Sequence, residues 1–397
     1  MRRFFMGILT ALVLMAGNAA AEGWNDTLAA ARGQTVYFNA WGGSTKANAY
    51  IQWAAGQVKA RHGIELRHVK VTDIAETVSR ILAEKTAGRS EGGSVDLLWI
   101  NGENFAAMKA HGLLYGPFTD RLPGFALVDT VNKPTIVDFT VPVEGMEAPW
   151  GMARFVFLHD TAVLPDPPRN IDALLAWAKA NPGRFTYPQP PHFLGSTFLK
   201  QALHALAADK AALMAPATEG TFAIVTAPLW PWLDALHAVS WRGGRAFPSS
   251  GPEQRRLLAD GEVDLSMAFS TLEAASAIEE GQLPKTARVY ALDGGTIGNA
   301  NFLAIPYNAR ARAAALVVID FLLSPEAQAR KQDARHWGSD TVLDLDRLSP
   351  DQRALFDAVP KHPAAPAAGS LGPALPEPHP SWMERIEAEW QRRYSRG

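Results

Sequence analysis

The stretch "FNAWGGSTKANAYIQWAA", residues 38–55, changes character at Gly42. The residues before it, together with "TVY" at 35–37, are β-branched, aromatic and apolar, which is the composition of a buried strand. Those after it place Ala47, Tyr50, Ile51, Ala54, Ala55 and Val58 at the i, i+3, i+4 spacing of an amphipathic helix. Ser44 or Thr45 suits the N-cap of that helix and Gly63 its stop. A strand that passes through a short polar turn into a helix is the repeating unit of a largely parallel sheet. Trp41 sits at the join, beside glycines rather than inside an element, and is read as a wall residue of a ligand cleft.

The alternation continues along the chain. "IELRHVKV" (64–71) predicts a strand, and "DIAETVSRILAEK" (73–85) a helix with Asp73 and Glu76 in capping-box spacing. "GGSVDLLWI" (92–100) predicts another strand and "NGENFAAMKAHGLL" (101–114) a short helix. A second unit of the same design begins near Trp150. "APWGMARFVFLHD" (148–160) is extended and "NIDALLAWAKA" (170–180) helical. "RFTYPQPPHFLGSTFLKQALHALA" (184–207) predicts a strand, a Pro/Gly turn ending at Ser196 and Thr197, and a helix. "GPEQRRLLADGEVDLSMAFSTLEAASAIEEG" (251–281) predicts helix, strand, helix, with Ser270 and Glu273 as a capping box. "TARVYAL" (286–292) and "NANFLAIPYNA" (299–309) are extended, and "RAAALVVIDFLLSPEAQAR" (312–330) and "WMERIEAEWQRRY" (382–394) are helical. The fold class is α/β, with two doubly wound lobes facing each other across a cleft. Ligands of such sheets gather beyond the carboxyl ends of strands, where helix N-termini present free N–H groups.

Composition sets the compartment. Arg2 and Arg3 precede the apolar run "FFMGILTALVLMAG" (4–17), too short to span a bilayer comfortably, and "AAAE" (19–22) supplies an A-x-A cleavage pattern. Residues 1–21 therefore read as a signal peptide cleaved near Ala21/Glu22, with an uncleaved anchor as the alternative, and the location as periplasmic. The remaining chain of about 376 residues suggests two domains and carries 36 basic and 40 acidic residues, which argues against nucleic acid as a partner. It contains no cysteine, which excludes disulfides and thiol chemistry. Twelve tryptophans is a high count; some belong to the core, and exported proteins also use indoles to wall clefts for sugars or organic cations.

Four stretches, in this order, resemble the periplasmic solute-binding proteins of ABC importers, of the two-lobe, two-crossover kind. They are "APWGMARFVFLHD" (148–160), "LLADGEVDLSMAFS" (257–270), "NFLAIPYNARA" (301–311) and "FLLSPEAQ" (321–328). "AWGGSTKANAYIQW" (40–53), "DLLWINGENFAAMKAHGLLYGP" (96–117) and "YPQPPHFLGSTF" (187–198) look closest to the YnjB-like branch, related to thiamine-, polyamine- and iron-binding members. The resemblance implies that "APWGMARFVF" and "NFLAIPYN" cross a hinge. It implies a first lobe over 22–150 with a return over 303–345, a second lobe over 151–302, and a C-terminal segment over 346–397 whose helix packs on either. It also implies a monomer whose partners are a small solute, an inner-membrane permease and its ATPase. "HFLGSTF" stands where iron-binding relatives have a tyrosine pair, which speaks against ferric iron.

The candidate ligand residues follow. Trp41, Gly43, Ser44 and Thr45 form the first turn, although Ser44 and Thr45 also serve as ordinary caps. Asn101, Glu103 and Asn104 follow the third strand; Glu103 either complements the helix dipole or meets a cationic ligand. Trp150 and Arg154 lie at the crossing, and Arg154 either binds an anion or pairs with an acid. Gly195, Ser196 and Thr197 repeat the first turn in the second lobe. Trp230 flanks a proline in "PLWPWL" and reaches toward the cleft, whereas Trp53, Trp99 and Trp177 are packing residues. Ser270, Asn299 and Asn301 rest on family position. No G-x-S-x-G elbow or H-E-x-x-H metal motif occurs, and "WGGSTK" lacks phosphate-loop spacing. The chain is thus read as a non-catalytic receptor with no metal and no cofactor, taking an organic cation or a neutral polar solute. The rival reading is a secreted α/β hydrolase with Ser44 or Ser196 as nucleophile, and a third is an exported scaffold without a ligand.

Overall fold

The computed structural model describes residues 23–367 and 370–395, so the signal-peptide reading lies outside the described residues. A helix α1 over 23–31 leads into β1 (Thr35–Trp41), α2 (Thr45–His62), β2 (Glu65–Val71), α3 (Ala75–Thr86), β3 (Leu97–Ile100) and α4 (Glu103–Ala110). β1 runs parallel to β2 on one side and β3 on the other. Ser44 caps α2 by accepting the Ala47 N–H, and Gly63 ends it at φ 67°, a left-handed conformation that disfavours any side chain. The cap expected at Asp73 takes another form. Its carboxylate accepts the Ala75 N–H, Ile74 is the N-cap, and no capping box closes α3.

A short hairpin, β4 (Val137–Asp138) and β5 (Val141–Pro142), precedes β6 (Glu147–Arg154) and β7 (Val156–Asp160). Then come α5 (Ile171–Ala180), α6 (Phe193–Leu206), α7 (Glu219–Thr226), α8 (Leu229–His237), α9 (Gly251–Ala259), β8 (Ser266–Ala268), α10 (Glu273–Glu279) and β9 (Ala287–Tyr290). β10 (Thr296–Ala304), α11 (Arg312–Leu323), α12 (Pro325–Gln332), α13 (Pro350–Asp357), β11 (Ala374–Leu375) and α14 (Pro380–Tyr394) complete the chain. The larger sheet has the order β11–β10–β3–β1–β2, with β6 also paired to β10; the smaller has the order β8–β7–β9. In the smaller sheet both pairings of β7 are antiparallel.

Side-chain alternation shows why helices cover both faces of each sheet. Leu97 and Leu303 join one apolar cluster with α2 and α11, while Leu98 and Phe302 join another with α3 and α4. In β7, Phe157 and Leu158 divide between two further clusters in the same way. β10 links the two halves: Ile297, near its start, belongs to the core around β7 and α6, and Leu303, near its end, to the core around β1 and α2.

The strand expected at 184–187 does not form. The segment runs straight into Pro188, Pro190 and Pro191, which have no N–H and so cannot extend a ladder beyond Tyr187. The segment is held irregularly instead, by the Trp241 N–H on the Phe185 carbonyl and the Gln254 side chain on the Thr186 carbonyl. Helix α6 consequently starts at Phe193 with His192 as its cap, so Ser196 and Thr197 lie within the helix rather than at its cap. Gly195 is a packing requirement, because a Cβ there would lie 1.9 Å from the Pro188 carbonyl oxygen.

Helix α14 closes the core around α6, with Trp382, Ile386 and Trp390 buried. The Trp390 indole N–H donates to the Tyr187 hydroxyl at 2.7 Å, and Trp382 donates to the Ala215 carbonyl at 2.9 Å. Trp390→Ala is expected to cost about 3–5 kcal/mol of folding stability, the range for deleting a core aromatic. Urea denaturation followed by circular dichroism measures it, and a loss under about 1 kcal/mol would show that α14 is only loosely docked.

Candidate functional site

β1 and β3 lie side by side, so the turns at 42–44 and 101–102 leave the same edge of the sheet. Gly102 adopts φ 64°, donates its N–H to Asp138 Oδ2 at 2.6 Å, and has the Phe139 ring where a Cβ would go. Only glycine meets both conditions. Glu103 then opens α4. Its Oε1 accepts the Asn104 amide at 2.9 Å, while its Oε2 is buried without a partner. Asp138 is 1% exposed, and its Oδ1 likewise has no partner. Behind it, Glu147 is fully buried with neither oxygen bonded.

The facing wall comes from α6, β10 and the C-terminal segment. The Ser196 hydroxyl donates to Glu387 Oε1 at 2.5 Å. One turn further on, the Lys200 ammonium pairs with Glu377 Oε2 at 2.7 Å, both side chains being 1% exposed. It also lies 4.4 Å from the Phe139 ring centroid and 5.3 Å from that of Phe193. The Asn299 amide holds the other oxygen of Glu377 at 2.8 Å.

Five carboxyl groups, Glu103, Asp138, Glu147, Glu377 and Glu387, thus cluster between α4, α6 and α14. Among the described residues Lys200 is the one cation within ion-pair distance of any of them. Burial, helped by the nearby Glu387 and Glu377 and opposed by a backbone hydrogen bond and Lys200, leaves Glu103 raised to about 7. Burial likewise leaves Glu387 raised to about 7, against the Ser196 hydrogen bond and Lys200 and with a small contribution from Asp73 and Glu384. Asp138 and Glu147 are pushed up chiefly by burial and then by neighbouring carboxylates. Desolvated acids with unpartnered oxygens are stabilised by a cation that brings hydrogen-bond donors. Among the described residues no group of three His, Asp or Glu side chains is arranged to hold a metal ion.

The structure brings together Glu103, Asn104, Ser196 and Asn299 from the expected residues. Asn101 and Asn301 are half-buried, Asn301 lying across the strand pair from Gly151, and Thr197 is buried in α6 with its hydroxyl unpartnered. Trp41 is half-buried and lies flat on Gly43, whose Cβ would meet the indole at 2.3 Å; it belongs to none of the four core clusters. Ser44 serves as the α2 cap. Thr45 donates across the cleft to Glu280 at 2.6 Å, beside the Lys46 ammonium on the Ser276 carbonyl at 2.9 Å. Near this contact lies a cavity of about 390 Å³ lined by Lys46, Tyr50, Glu279 and Arg335. The acidic cluster is the stronger candidate, because Glu280 and Arg335 already have partners in Thr45 and Asp333.

Four expectations need correction. Trp150 is fully buried, packed 5.1 Å from Trp99 and 5.2 Å from Trp337, and so belongs to the core. Trp230 is also buried, donating to Thr226 with the Arg393 guanidinium 4.7 Å above its ring. Arg154 neither faces an anion nor pairs with an acid: it donates to the Leu371 and Gly372 carbonyls and so holds the C-terminal segment. Ser270 donates to the Gly338 carbonyl and accepts the Leu272 N–H, joining two chain segments rather than facing a ligand. The residues not anticipated are Asp138, Glu147, Lys200, Glu377 and Glu387. Ser44 serves as a helix cap, and Ser196 donates to the Glu387 carboxylate rather than to a histidine.

Residues 53–335 match the family model described as bacterial extracellular solute-binding protein. The chain belongs to that family. This solute-binding protein is also 45% identical over 375 residues to Protein YnjB of Escherichia coli strain K12, covering 94% of each chain. Its fold is similar to that of the periplasmic binding protein AfuA from Actinobacillus pleuropneumoniae, with a TM-score of 0.64, 14% identity, and 92% and 100% of the two chains covered. It is also similar to a putative spermidine/putrescine ABC transporter from Listeria monocytogenes, with a TM-score of 0.63, 16% identity, and 91% and 99% covered. The fold is accordingly the two-lobed α/β type of periplasmic binding proteins, and the protein is a bacterial extracellular solute-binding protein.

The Lys200–Glu377 pair supplies a test of the site's architecture. Glu377→Gln leaves a buried ammonium unpaired and is expected to cost about 3–5 kcal/mol, whereas removing both charges with Lys200→Met and Glu377→Gln costs less. Urea denaturation of the two variants decides it. A double variant less stable than the single one would show that the pair is not the element that matters.

Proposed function

We propose that this protein closes over a small organic cation in the periplasm and delivers it, as a monomer, to an inner-membrane permease and its ATPase. The observation that carries this reading is the buried acidic cluster, in which Glu103 and Asp138 keep unpartnered oxygens beside Glu387. Fold alone does not choose the ligand's charge: AfuA is named with fructose-6-phosphate bound, and the Listeria protein is named for spermidine and putrescine. On this reading the first lobe comprises 22–150 and 303–345 and the second 151–302, with α14 added to the second. The division of the core clusters supports those boundaries. Closure follows ligand contacts made by both lobes, and the ligand shifts the equilibrium only by its differential affinity for the closed state.

A cation binds the ionised carboxylates, and Glu103 and Glu387 ionise near pH 7 in the free protein. Affinity is therefore expected to rise with pH through about 7 and to fall below it, by up to roughly tenfold per pH unit for each proton displaced. Titration calorimetry from pH 5.5 to 8.5, in buffers of different ionisation enthalpy, reads both the affinity and the proton release. The titrant is the solute that co-purifies, identified by mass spectrometry after denaturation. A flat profile without proton release would reject the cation reading.

Trp41→Ala tests the first turn separately. If the indole walls the cleft, affinity falls by about 1–3 kcal/mol while the melt barely moves. A large fall in melting temperature with unchanged affinity would make Trp41 a packing residue.

A further inference from the structure

We infer that the C-terminal segment completes the ligand site, with Glu387 of α14 anchoring the ligand, and that the ligand carries N–H donors rather than a quaternary cation. The inference rests on the organic-cation reading above. The segment lies beyond the family match, which ends at residue 335. Its course is fixed at several points. Arg154 holds the Leu371 and Gly372 carbonyls, and β11 pairs in parallel with the start of β10, Thr296 opposite Ala374. Asn299 and Lys200 then hold Glu377, and Trp382, Ile386 and Trp390 seat α14 in the core around α6. The same helix also packs against α4, which carries Glu103. The C-terminal segment thus reaches both walls of the acidic cluster and contributes two of its five carboxylates, Glu377 ahead of α14 and Glu387 within it.

Those two carboxylates have different standing. Glu377 is satisfied by Lys200 and Asn299, and its role is to hold the ammonium between Phe139 and Phe193. Glu387 has the Ser196 hydroxyl alone, with no cation within ion-pair distance among the described residues. A ligand cation is the charge that this corner lacks. Its chemistry follows from the neighbours. Glu103 Oε2 and Asp138 Oδ1 are buried acceptors without donors. A primary or secondary ammonium, or a guanidinium, supplies N–H groups to them. A quaternary ammonium neutralises charge but leaves both acceptors unmet, and so binds less well.

The test uses the full mature chain and calorimetry at pH 8. The probes are spermidine, putrescine, agmatine and the fully N-methylated bis-quaternary analogue of putrescine. The wild type is expected to bind at least one of the three N–H-bearing cations, and the quaternary analogue about 30-fold more weakly or worse. Glu387→Gln is expected to lower amine affinity by a similar factor without lowering the melting temperature. Glu219→Gln, the same change at an exposed position of α7, leaves affinity unaltered. Glu387→Asp, which keeps the charge but withdraws it by one methylene, gives an intermediate loss and serves if the glutamine variant fails to fold. Binding by Glu387→Gln within about twofold of wild type would overturn the role of the C-terminal segment while leaving the cation reading intact. Equal binding of the quaternary analogue would overturn the requirement for N–H donors. A wild type that binds none of the amines would overturn the cation reading and this inference with it.

Discussion

The antiparallel pairing of β6 with β10 is the constraint on which the rest of the molecule depends. Its register runs from Gly298 opposite Arg154 to Ala304 opposite Glu147, with a shift between Asn301 and Phe302. One end lies against the core of β7 and α6, through the Phe155 N–H on the Ile297 carbonyl. The other end is stitched into the larger sheet through β3. Glu147, Arg154 and Asn299 all take their places from this ribbon, and through them so do the acidic cluster and the C-terminal segment. Gly151 lies in the middle of it, where a Cβ would come within 3.0 Å of both the Lys331 ammonium and the Ser339 hydroxyl. Burial pulls that ammonium down to about 7, and it donates to the Trp150 and Asp340 carbonyls. Helix α12 is thereby tied to the crossing strand by a polar contact inside an otherwise apolar region.

The electrostatics of the site run against stability. Several acids are taken out of water with one resident cation, and the suppressed ionisation of Glu103 and Glu387 reflects the cost of that arrangement. A folded protein tolerates such groups when function needs them, because binding recovers what folding gives up. Lys200 limits the penalty by neutralising Glu377 between two aromatic faces. It leaves the Glu103, Asp138 and Glu387 corner for something else.

Local rules made much of the fold legible. The apolar run of β1, the Ser44 cap and the left-handed Gly63 are all decided within a few residues, and each appears where its pattern places it. The misreadings came from longer range. Trp150 looks like a cleft residue because it adjoins a hinge glycine, yet four aromatic partners from distant segments enclose it. The segment 184–187 has strand-like side chains, but the prolines that follow at 188, 190 and 191 stop any ladder from extending past it. Glu103 was visible because it follows a strand end. Glu387 was not, because a glutamate on an amphipathic helix reads as part of a solvated face. Only the docking of α14 between α6 and α4 turns it inward.

The threading of the cores through the chain has a consequence for assembly. The core around β1 and α2 needs α11, some 250 residues further along in synthesis, and the core around β7 needs Trp382, Ile386 and Trp390. A nascent chain therefore passes through the whole of the second half before α11 can close the first, and the second half in turn waits for the final helix. Before those segments are made, β3 lacks its β10 neighbour and α6 keeps an uncovered apolar flank. Each half is closed by residues made after the other has begun, so neither matures as an independent unit in the order of synthesis.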